Sequence, residues 1–389
     1  MATTLVVNPG STSRKYALYK EGVLSRVLFF EETGKSFVVN DIKNGTKSPQ
    51  VHIRATEFAA SVAYTLEHLI QVGEIASKHE IERVGVRVVA PGSYFTTHKL
   101  IDDTYTQKLV EVASIAPLHI PGLIGEIKAI QEELAHATIA GVSDTAFHST
   151  IPEHVAAISI DRNDAQAYDI KRFGYHGLSF ASLTRRLSDV FGEIPSRVVM
   201  CHIGGGVSVA AVKDGKSIAT SMGYTPASGM IMGSRGGDVT AGVLATLIQK
   251  KKLEGEALYE YLYKQSGFQG VAGVRDLRLV LERAAQKDHN AMLAVDMFVH
   301  QIQSWIAAHV VQMGGVDAVV LTATAAERNP HVRSLVLEGL AVLGITLDTT
   351  KNEACIGCEG EIGARESNAR IAVLKTDEMG EIVTAAESV

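Results

Sequence analysis

The chain has 389 residues, of which 46% are hydrophobic and 21% are charged. This length exceeds the roughly 250–300 residues that one hydrophobic core organises, and the composition excludes disordered, collagen-like and coiled-coil proteins. The 37 basic and 43 acidic residues give a net charge of −6, so we expect two globular domains and no nucleic-acid partner.

No segment predicts a secretory signal or a membrane span. Met1–Asn8 has no cationic region before its short apolar run. The longest stretch without formal charge, Met297–Val316, contains histidine, glutamine and serine, and its apolar residues recur at helical spacing. We therefore predict an amphipathic helix here, a cytoplasmic protein and no membrane partner.

The amino-terminal segment predicts a hairpin of two strands joined by a turn of small residues. Leu5–Val7 forms the first strand, Asn8–Ser13 forms the turn, and Lys15–Leu18 continues to a second turn at Glu21–Gly22. Such a turn is either an ordinary tight turn or a concavity whose N–H groups and hydroxyls bind an anion such as phosphate.

Helical and strand-like segments then alternate, which favours an α/β architecture. We expect a helix at Thr56–Val72 and strands at Val84–Ala90 and Thr138–Val142. Asp144 ends the second strand, where α/β proteins place functional carboxylates, although it could equally cap the following helix. Arg87 lies among apolar strand residues, so it either pairs with a structural carboxylate or meets an anionic ligand.

The outline of the first hairpin recurs about half a chain later. Val198–Met200 leads to the small residues Gly204–Ser208, and alternating Val209–Val212 ends at the hairpin signal Asp214–Gly215. Two related turns of this kind suggest two related domains that face one phosphoryl group, with tight structural turns as the alternative.

Two further residues stand in glycine-rich surroundings. His176 has glycines close on both sides, which suits the approach of a ligand but also a structural histidine. Arg235 lies in the small-residue segment Met232–Asp238. It is either a cation that binds an anion or an ordinary loop cation.

The carboxyl-terminal region shows few regular patterns. Lys351–Asn368 is polar and predicts a loop, followed by a short strand at Ile371–Leu374. Cys355 and Cys358 form a lone C-x-x-C pair, which we interpret as incidental thiols, with a redox or metal site as the alternative.

These segments together resemble the acetate kinase (acetokinase) family in chain order and spacing, over almost the whole chain. The matching segments are Asn8–Lys15, Arg87–Val89, Ala116–His119, Asp144–His148, Gly174–Gly177, Thr220–Pro226, Met232–Asp238 and Val332–Asp348. The resemblance implies a duplicated actin-like, ribonuclease H-like α/β fold of two domains with a central cleft. It also implies a homodimer and a phosphotransferase that moves phosphate from ATP to a short-chain carboxylate such as acetate, forming an acyl phosphate by direct in-line transfer.

We place the domain boundary near residue 150. The first domain is then residues 1–150, with the segment at about 375–389 packing back on it, and the second is residues 151–374.

The resemblance assigns roles residue by residue, together with Mg²⁺ or Mn²⁺ as the cofactor. The catalytic residues implied are Arg87, Asp144, His176 and Arg235. The substrate-binding residues implied are Arg87, Val89, Leu118, Tyr175 and Pro226. The phosphate- and nucleotide-binding residues implied are Ser11, Ser13, Lys15, His202, Gly204, Gly205, Gly206, Asp276, Arg278, Thr324 and Arg328. The metal-binding residues implied are Asn8 and Glu378.

This set suits acyl phosphate formation. A carboxylate is already a nucleophile and needs no general base, whereas two anions must be brought together and the charge on the transferring group stabilised. On this reading Arg87 holds the acceptor carboxylate, and Arg235 and His176 stabilise the transition state.

Several positions depart from the family pattern. The turn at Gly204–Gly206, with Asn8–Ser13, is more similar to butyrate kinases, so propionate or butyrate is an alternative acceptor. Tyr175 puts a hydroxyl in the acyl pocket. The glycine-rich adenosine loop is replaced by Ala323–Arg328, in which we expect the β-branched Thr324 to fit poorly in a positive-φ conformation. A smaller donor such as pyrophosphate, or an inactive nucleotide-sensing protein, are therefore further alternatives.

Overall fold

The structure is a computed structural model that describes residues 3–10, 13–34, 36–117 and 120–389. Its chain divides into two compact units. The first contains the residues up to Ala146 together with Asp377–Val389, and the second is Phe147–Thr376.

The elements run in chain order as follows. The strands are β1 (Thr3–Pro9), β2 (Ser13–Lys20), β3 (Val23–Thr33), β4 (Ser36–Lys43), β5 (Thr46–Lys47), β6 (Val51–Ile53), β7 (Arg83–Val88), β8 (Lys99–Leu100), β9 (Thr138–Ser143), β10 (Arg197–Ile203), β11 (Val207–Lys213), β12 (Lys216–Thr220), β13 (Ala318–Thr322), β14 (Gly360–Glu361) and β15 (Arg370–Val373). The helices are α1 (Ala55–Ala59), α2 (Ser61–Gln71), α3 (Asp103–Glu111), α4 (Ile120–Glu133), α5 (Glu153–Ala156), α6 (Arg162–Ala167), α7 (Gly177–Phe191), α8 (Ala241–Lys251), α9 (Gly255–Lys264), α10 (Gly267–Ala272), α11 (Leu277–Ala285), α12 (His289–Met313), α13 (Ala323–Arg328), α14 (Pro330–Leu337), α15 (Thr349–Ala354) and α16 (Glu378–Glu387).

Each unit is built on a sheet with the same central topology. In the first sheet the order is β5-β4-β3-β2-β1-β7-β9-β8, with β6 beside β4, and in the second it is β12-β11-β10-β13-β15-β14. β1 pairs antiparallel with β2 and parallel with β7, and β7 is parallel to β9. β10 repeats this pattern with β11, β13 and β15. The duplicated α/β fold predicted from the two hairpins is confirmed.

Helices pack on both faces of the first sheet, which explains its continuous apolar strands. On one face, core residues of β1 and β7 cluster with Leu66 of α2 and Ile127 of α4. On the other face α16 crosses Gly85, where a Cβ atom would lie only 2.7 Å from Cγ2 of Ile382. Gly85 therefore lets the returning helix lie directly on the strands that carry Asn8 and Arg87.

The boundaries of several elements differ from the sequence predictions. The helix expected at Thr56–Val72 is interrupted at Ala60, whose backbone leaves the helical region at φ −94° and ψ 32°. The amphipathic helix begins earlier, because the Asp288 side chain accepts hydrogen bonds from two N–H groups of its first turn. The segment Lys351–Asn368 contains most of α15 and all of β14 rather than a loop alone. Among the residues described, no helix is both long and apolar enough to span a membrane.

Candidate active site

In the first unit, three predicted residues meet at one edge of the sheet. Asn8 lies near the end of β1, Arg87 near the end of β7, and Asp144 directly after β9. The carboxyl ends of neighbouring parallel strands share an edge, so the topology alone brings these three side chains close together. Glu378, the first residue of α16, joins them from the other end of the chain.

The Arg87 guanidinium is the centre of this group. Its Nε and Nη2 donate to Oδ1 of Asp144 at 3.2 and 3.0 Å. Its Nη1 donates to Oε2 of Glu378 at 3.0 Å and to Oδ1 of Asn8 at 3.3 Å. The Asn8 amide donates in turn to Oε2 of Glu378 at 3.4 Å. The sequence left open whether Arg87 meets a carboxylate or a ligand, and the structure shows two carboxylate partners.

Burial and charge act against each other at Arg87. Burial alone would lower its pKa, but the negative charges of Asp144 and Glu378 raise it overall. Asp144 is only 1% exposed, and its carboxylate lies 3.0 Å from the Arg87 guanidinium. One guanidinium and two carboxylates leave a net negative charge, which favours a further cation.

The same group fits a magnesium ion. Mg²⁺ is usually held by one or two carboxylates, with waters and substrate phosphates completing its shell. Asp144 and Glu378 supply two carboxylates, and Asn8 supplies an amide oxygen. Within the described ranges no group of three or more histidine, cysteine or acidic side chains forms a metal cage.

The remaining predicted residues of the first unit lie around its hairpin turn, just after β7, or outside the described part of the chain. The backbone N–H of Gly10 donates to the carbonyl of Ser13 at 2.7 Å. The Lys15 ammonium lies over the ring of Phe29, 4.9 Å from its centroid. Val89 is half-buried just after β7. Ser11 and Leu118 lie outside the described residues.

In the second unit, His176 occupies a strained position at the start of α7. Its φ of 60° places it in the left-handed region, which a residue with a Cβ atom seldom adopts. Its Nδ1 lies 2.8 Å from Oγ of Ser208, and its ring stacks on that of His202 with centroids 4.0 Å apart. Nδ1 of His202 lies 2.9 Å from Oγ of Ser179. Surrounding contacts therefore hold both rings in place.

The turn between β10 and β11 lies against His176 and Arg235. A Cβ atom on Gly206 would lie 2.8 Å from Nε2 of His176 and 3.0 Å from Nη2 of Arg235. Only glycine allows both side chains this close to the backbone. The turn, the histidine and the arginine thus form one group in the second unit.

Arg235 carries a partly buried positive charge that no acidic side chain in the described part of the chain neutralises. Nη1 donates to the carbonyl of Pro226 at 2.8 Å, and Nη2 donates to the carbonyl of Gly205 at 3.4 Å. Burial lowers the pKa of the guanidinium, with Tyr263 and Tyr259 opposing this effect. A partly buried cation that bonds to carbonyl oxygens is suited to an anionic ligand.

The Tyr175 hydroxyl, predicted to lie in an acyl pocket, bonds to a backbone carbonyl, and the substrate-binding role of Tyr175 stays a prediction. Tyr175 is 1% exposed, and its hydroxyl donates to the carbonyl of Tyr224 at 2.8 Å. Its own carbonyl lies 3.0 Å from Nε2 of His148, a histidine whose pKa burial lowers to about 4. Tyr175 is thus fixed at both ends, next to His176.

The expectation that Thr324 has a positive φ is wrong. Ala323, not Thr324, has the positive φ, at 70°, and Thr324 lies in the regular part of α13. The N–H of Ala323 donates to Oε1 of Glu327 at 2.9 Å, which holds the strained first residue of the helix. Ala323 also approaches the turn between β10 and β11, because a Cβ atom on Gly204 would lie 3.2 Å from the Cβ atom of Ala323.

The other predicted nucleotide-binding residues lie at the surface. Asp276 caps α11 and forms an ion pair with Arg278 at 2.5 Å, which lowers the pKa of the carboxyl. Thr324 and Arg328 are exposed. A cavity of about 530 Å³ lies beside Asp276, and its lining is Ser234, Lys264, Gln269, Gly273, Val274, Arg275, Asp276 and Leu279.

Three residues of these groups were missed as contributors. The side chain of Ser179 contacts His202, and that of Ser208 contacts His176. The side chain of His148 contacts the carbonyl of Tyr175. Ser208 follows the glycine turn directly, so a hydroxyl beside a phosphate-type turn was the available signal. The Sγ atoms of Cys355 and Cys358 lie beside each other, and their interpretation as incidental thiols, with a redox or metal site as the alternative, stays a prediction.

The repeated α/β fold, with small-residue turns and cationic side chains at its sheet edges, defines a phosphotransferase of the actin-like superfamily. The model of the Acetokinase family matches residues 3–384. The chain therefore belongs to the acetokinase family, which are kinases with a carboxylate as the phosphoryl acceptor.

Individual relatives agree with this assignment. An acetate kinase of Caldanaerobacter subterraneus subsp. tengcongensis is 36% identical over 383 residues, covering 96% of this chain and 95% of the relative. The crystal structure of the Porphyromonas gingivalis acetate kinase matches with a TM-score of 0.87 and 32% identity, covering 100% and 99% of the two chains. A propionate kinase from Francisella tularensis subsp. tularensis matches with a TM-score of 0.91 and 29% identity over 100% of both chains.

Proposed function

We propose that this protein transfers a phosphoryl group between ATP and a short-chain carboxylate such as acetate, forming an acyl phosphate by direct in-line transfer. The observation that carries this proposal is Arg235, whose partly buried guanidinium lies on the turn of β10 and β11 beside His176 without an acidic partner among the described residues. Such a cation is suited to the charge on the equatorial oxygens of a transferring phosphoryl group.

In the first unit, Arg87 would hold the carboxylate acceptor. Its Nε and Nη2 already donate to Asp144 and its Nη1 to Glu378 and Asn8. The acceptor would therefore take the remaining N–H of Nη2 or replace one of these partners. Asp144, Glu378 and Asn8 would hold Mg²⁺, which supplies neutralisation of the donor phosphates when bound. Val89, half-buried beyond β7, would contact the acyl chain.

In the second unit, fixed donors would bind the phosphoryl group. The backbone of Gly204–Gly206 and the side chains of His176, His202 and Arg235 are held before any ligand arrives, because packing and hydrogen bonds restrain each ring and guanidinium. Preorganised donors of this kind stabilise charge without reorganising during the reaction. Because the acceptor is already an anion, no side chain has to remove a proton from it.

A smaller donor, such as pyrophosphate, is a second candidate. Ala323 is a non-glycine residue at positive φ, and it brings its Cβ atom against the turn at Gly204. Side chains therefore occupy space near the turn that a glycine loop would leave to a nucleotide. The cavity beside Asp276 favours ATP, because it is large and has both Lys264 and Arg275 in its lining.

The decisive experiment is a matrix of donors and acceptors. Acyl phosphate, trapped as the hydroxamate, is measured for acetate, propionate and butyrate, each with ATP, GTP and pyrophosphate, with Mg²⁺ and after its chelation. We expect the highest rate with ATP and acetate, and loss of turnover on chelation. Turnover with pyrophosphate but not with ATP would show that pyrophosphate, and not ATP, is the phosphoryl donor. A thermal shift with ATP without turnover of any pair would instead indicate a nucleotide-sensing protein.

We also propose a homodimer, assembled in part through α8. Within the described part of the chain this helix buries none of its residues, although it carries apolar side chains such as Val243 and Ile248, which are 49% and 38% exposed. Exposed apolar faces of this kind are typical of subunit interfaces. We expect sedimentation equilibrium to give twice the monomer mass, and Val243→Asp to lower the association constant. A monomer at micromolar concentration would contradict this proposal.

A further inference from the structure

Ser208 is buried beside His176 and has no role in the assignment by family resemblance beyond its place in the turn. It is 0% exposed and lies in β11 opposite His202 of β10. Its Oγ lies 2.8 Å from Nδ1 of His176. A buried hydroxyl this close to one ring nitrogen influences which nitrogen carries the proton.

The other nitrogen of the ring points at the turn. A Cβ atom on Gly206 would lie 2.8 Å from Nε2 and 2.9 Å from Cε1 of His176. Nδ1 therefore faces Ser208 while the opposite edge of the ring faces the Gly204–Gly206 backbone. An anion bound on this turn meets Nε2 rather than Nδ1.

A neutral imidazole has one donor and one acceptor nitrogen. If Nδ1 carried the proton, Nε2 would present a lone pair to an anion, and the contact would be repulsive. If the Ser208 hydroxyl donates to Nδ1, the proton is on Nε2, and that N–H can donate to a phosphoryl oxygen.

The plane of the ring is held separately. His202 stacks on His176 with 17° between the rings, and Ser179 fixes His202 in turn. Stacking restrains the tilt of the ring but does not distinguish its two tautomers. Of these contacts, the one between Nδ1 and the Ser208 hydroxyl bears on the tautomer, since donation by the hydroxyl selects the form with its proton on Nε2.

We propose that Ser208 is a positioning residue that holds His176 as the tautomer with its proton on Nε2, aimed at the transferring phosphoryl group. This inference rests on the proposed function, because it assigns a purpose to the orientation of His176. It adds that the serine acts through the histidine and does not itself contact substrate.

The test combines Ser208→Ala with a spectroscopic readout. In the parent protein with ¹⁵N-labelled histidine, at about pH 8 where an ordinary histidine is neutral, we expect the His176 signals of the Nε2–H tautomer. In Ser208→Ala we expect a mixture of tautomers. We expect kcat to fall roughly ten- to hundredfold while the KM values change little. A parent protein with the proton on Nδ1 of His176 would overturn the proposal.

Two further variants separate positioning from mere structural support. In a His176→Ala background, Ser208→Ala should lower kcat no further, because its effect passes through the missing ring; an additional loss of tenfold would contradict the proposal. The matched control is Ser217→Ala, since Ser217 is also 0% exposed and its Oγ lies 2.8 Å from Nδ1 of another buried histidine, His148. It should lower Tm without changing the His176 signals. The tautomer readout needs no turnover, so failure of the proposed reaction is recognised separately.

Discussion

Replacement of Arg87 by alanine is expected to lower kcat about a thousandfold or more and to raise the KM for the carboxylate acceptor. An arginine that stabilises phosphoryl transfer commonly contributes a factor of this size. The side chain also pairs with Asp144 and Glu378, so its removal takes a positive charge from beside two carboxylates, and Tm should fall as well.

Steady-state kinetics with varied acceptor, together with a thermal melt, measures both effects. Arg87→Lys should restore part of the stability but little of kcat, because an ammonium lacks the planar fork that contacts both carboxylates. The matched control is Arg26→Ala, since Arg26 is similarly buried and pairs with Asp41 and Glu74 in the same unit. It should lower Tm and leave kcat nearly unchanged. An Arg87→Ala protein that keeps more than about a tenth of the parent activity would refute the assigned role.

Replacement of Arg235 by alanine should also lower kcat about a thousandfold or more, but with a different kinetic pattern. Arg235 is proposed to contact the phosphoryl group mainly in the transition state, so kcat and kcat/KM should fall together while the acceptor KM stays near its parent value. Stability should fall little, because among the described residues the guanidinium forms no ion pair and bonds to two carbonyls, those of Pro226 and Gly205. The affinity for a planar transition-state mimic, such as a metal fluoride with ADP and acetate, should fall in parallel with kcat.

A control variant in the second unit tests whether the loss of another arginine would lower kcat as much as the loss of Arg235. Arg197 pairs with Asp317 at the start of β10, whereas His202 lies near the end of that strand. Arg197→Ala should therefore leave kcat within about twofold. If Arg235→Ala raises the acceptor KM strongly while kcat is retained, Arg235 binds the acceptor in the ground state and the proposed division of roles is wrong.

The fold and much of the first-unit group follow from local sequence patterns. The repeated hairpins predict the duplicated sheets because each is a short-range signal of strand, turn and strand. Asp144 and Arg87 were recognisable because a charged residue at the end of an apolar strand is conspicuous. Glu378 was assigned only by family resemblance, since its contact with Arg87 joins residues 291 positions apart.

Backbone conformation and side-chain direction were not predictable in the same way. The positive φ values of His176 and Ala323 arise from tertiary contacts, with Ser208 and His202 at one and Glu327 at the other. No pattern in the sequence indicates that the Tyr175 hydroxyl donates to the carbonyl of Tyr224. Such choices depend on which groups remain available once the sheets have formed.

The return of α16 to the first sheet has a consequence for biosynthesis. Glu378 and the helix that crosses Gly85 belong to the same unit as β1, yet more than two hundred residues of the second unit intervene between Ala146 and Asp377. A ribosome must therefore translate the whole second unit before the first can acquire its last helix and its second acidic group. Until then the nascent amino-terminal half exposes the apolar face around Gly85, and newly made chains depend on the completed polypeptide to cover it.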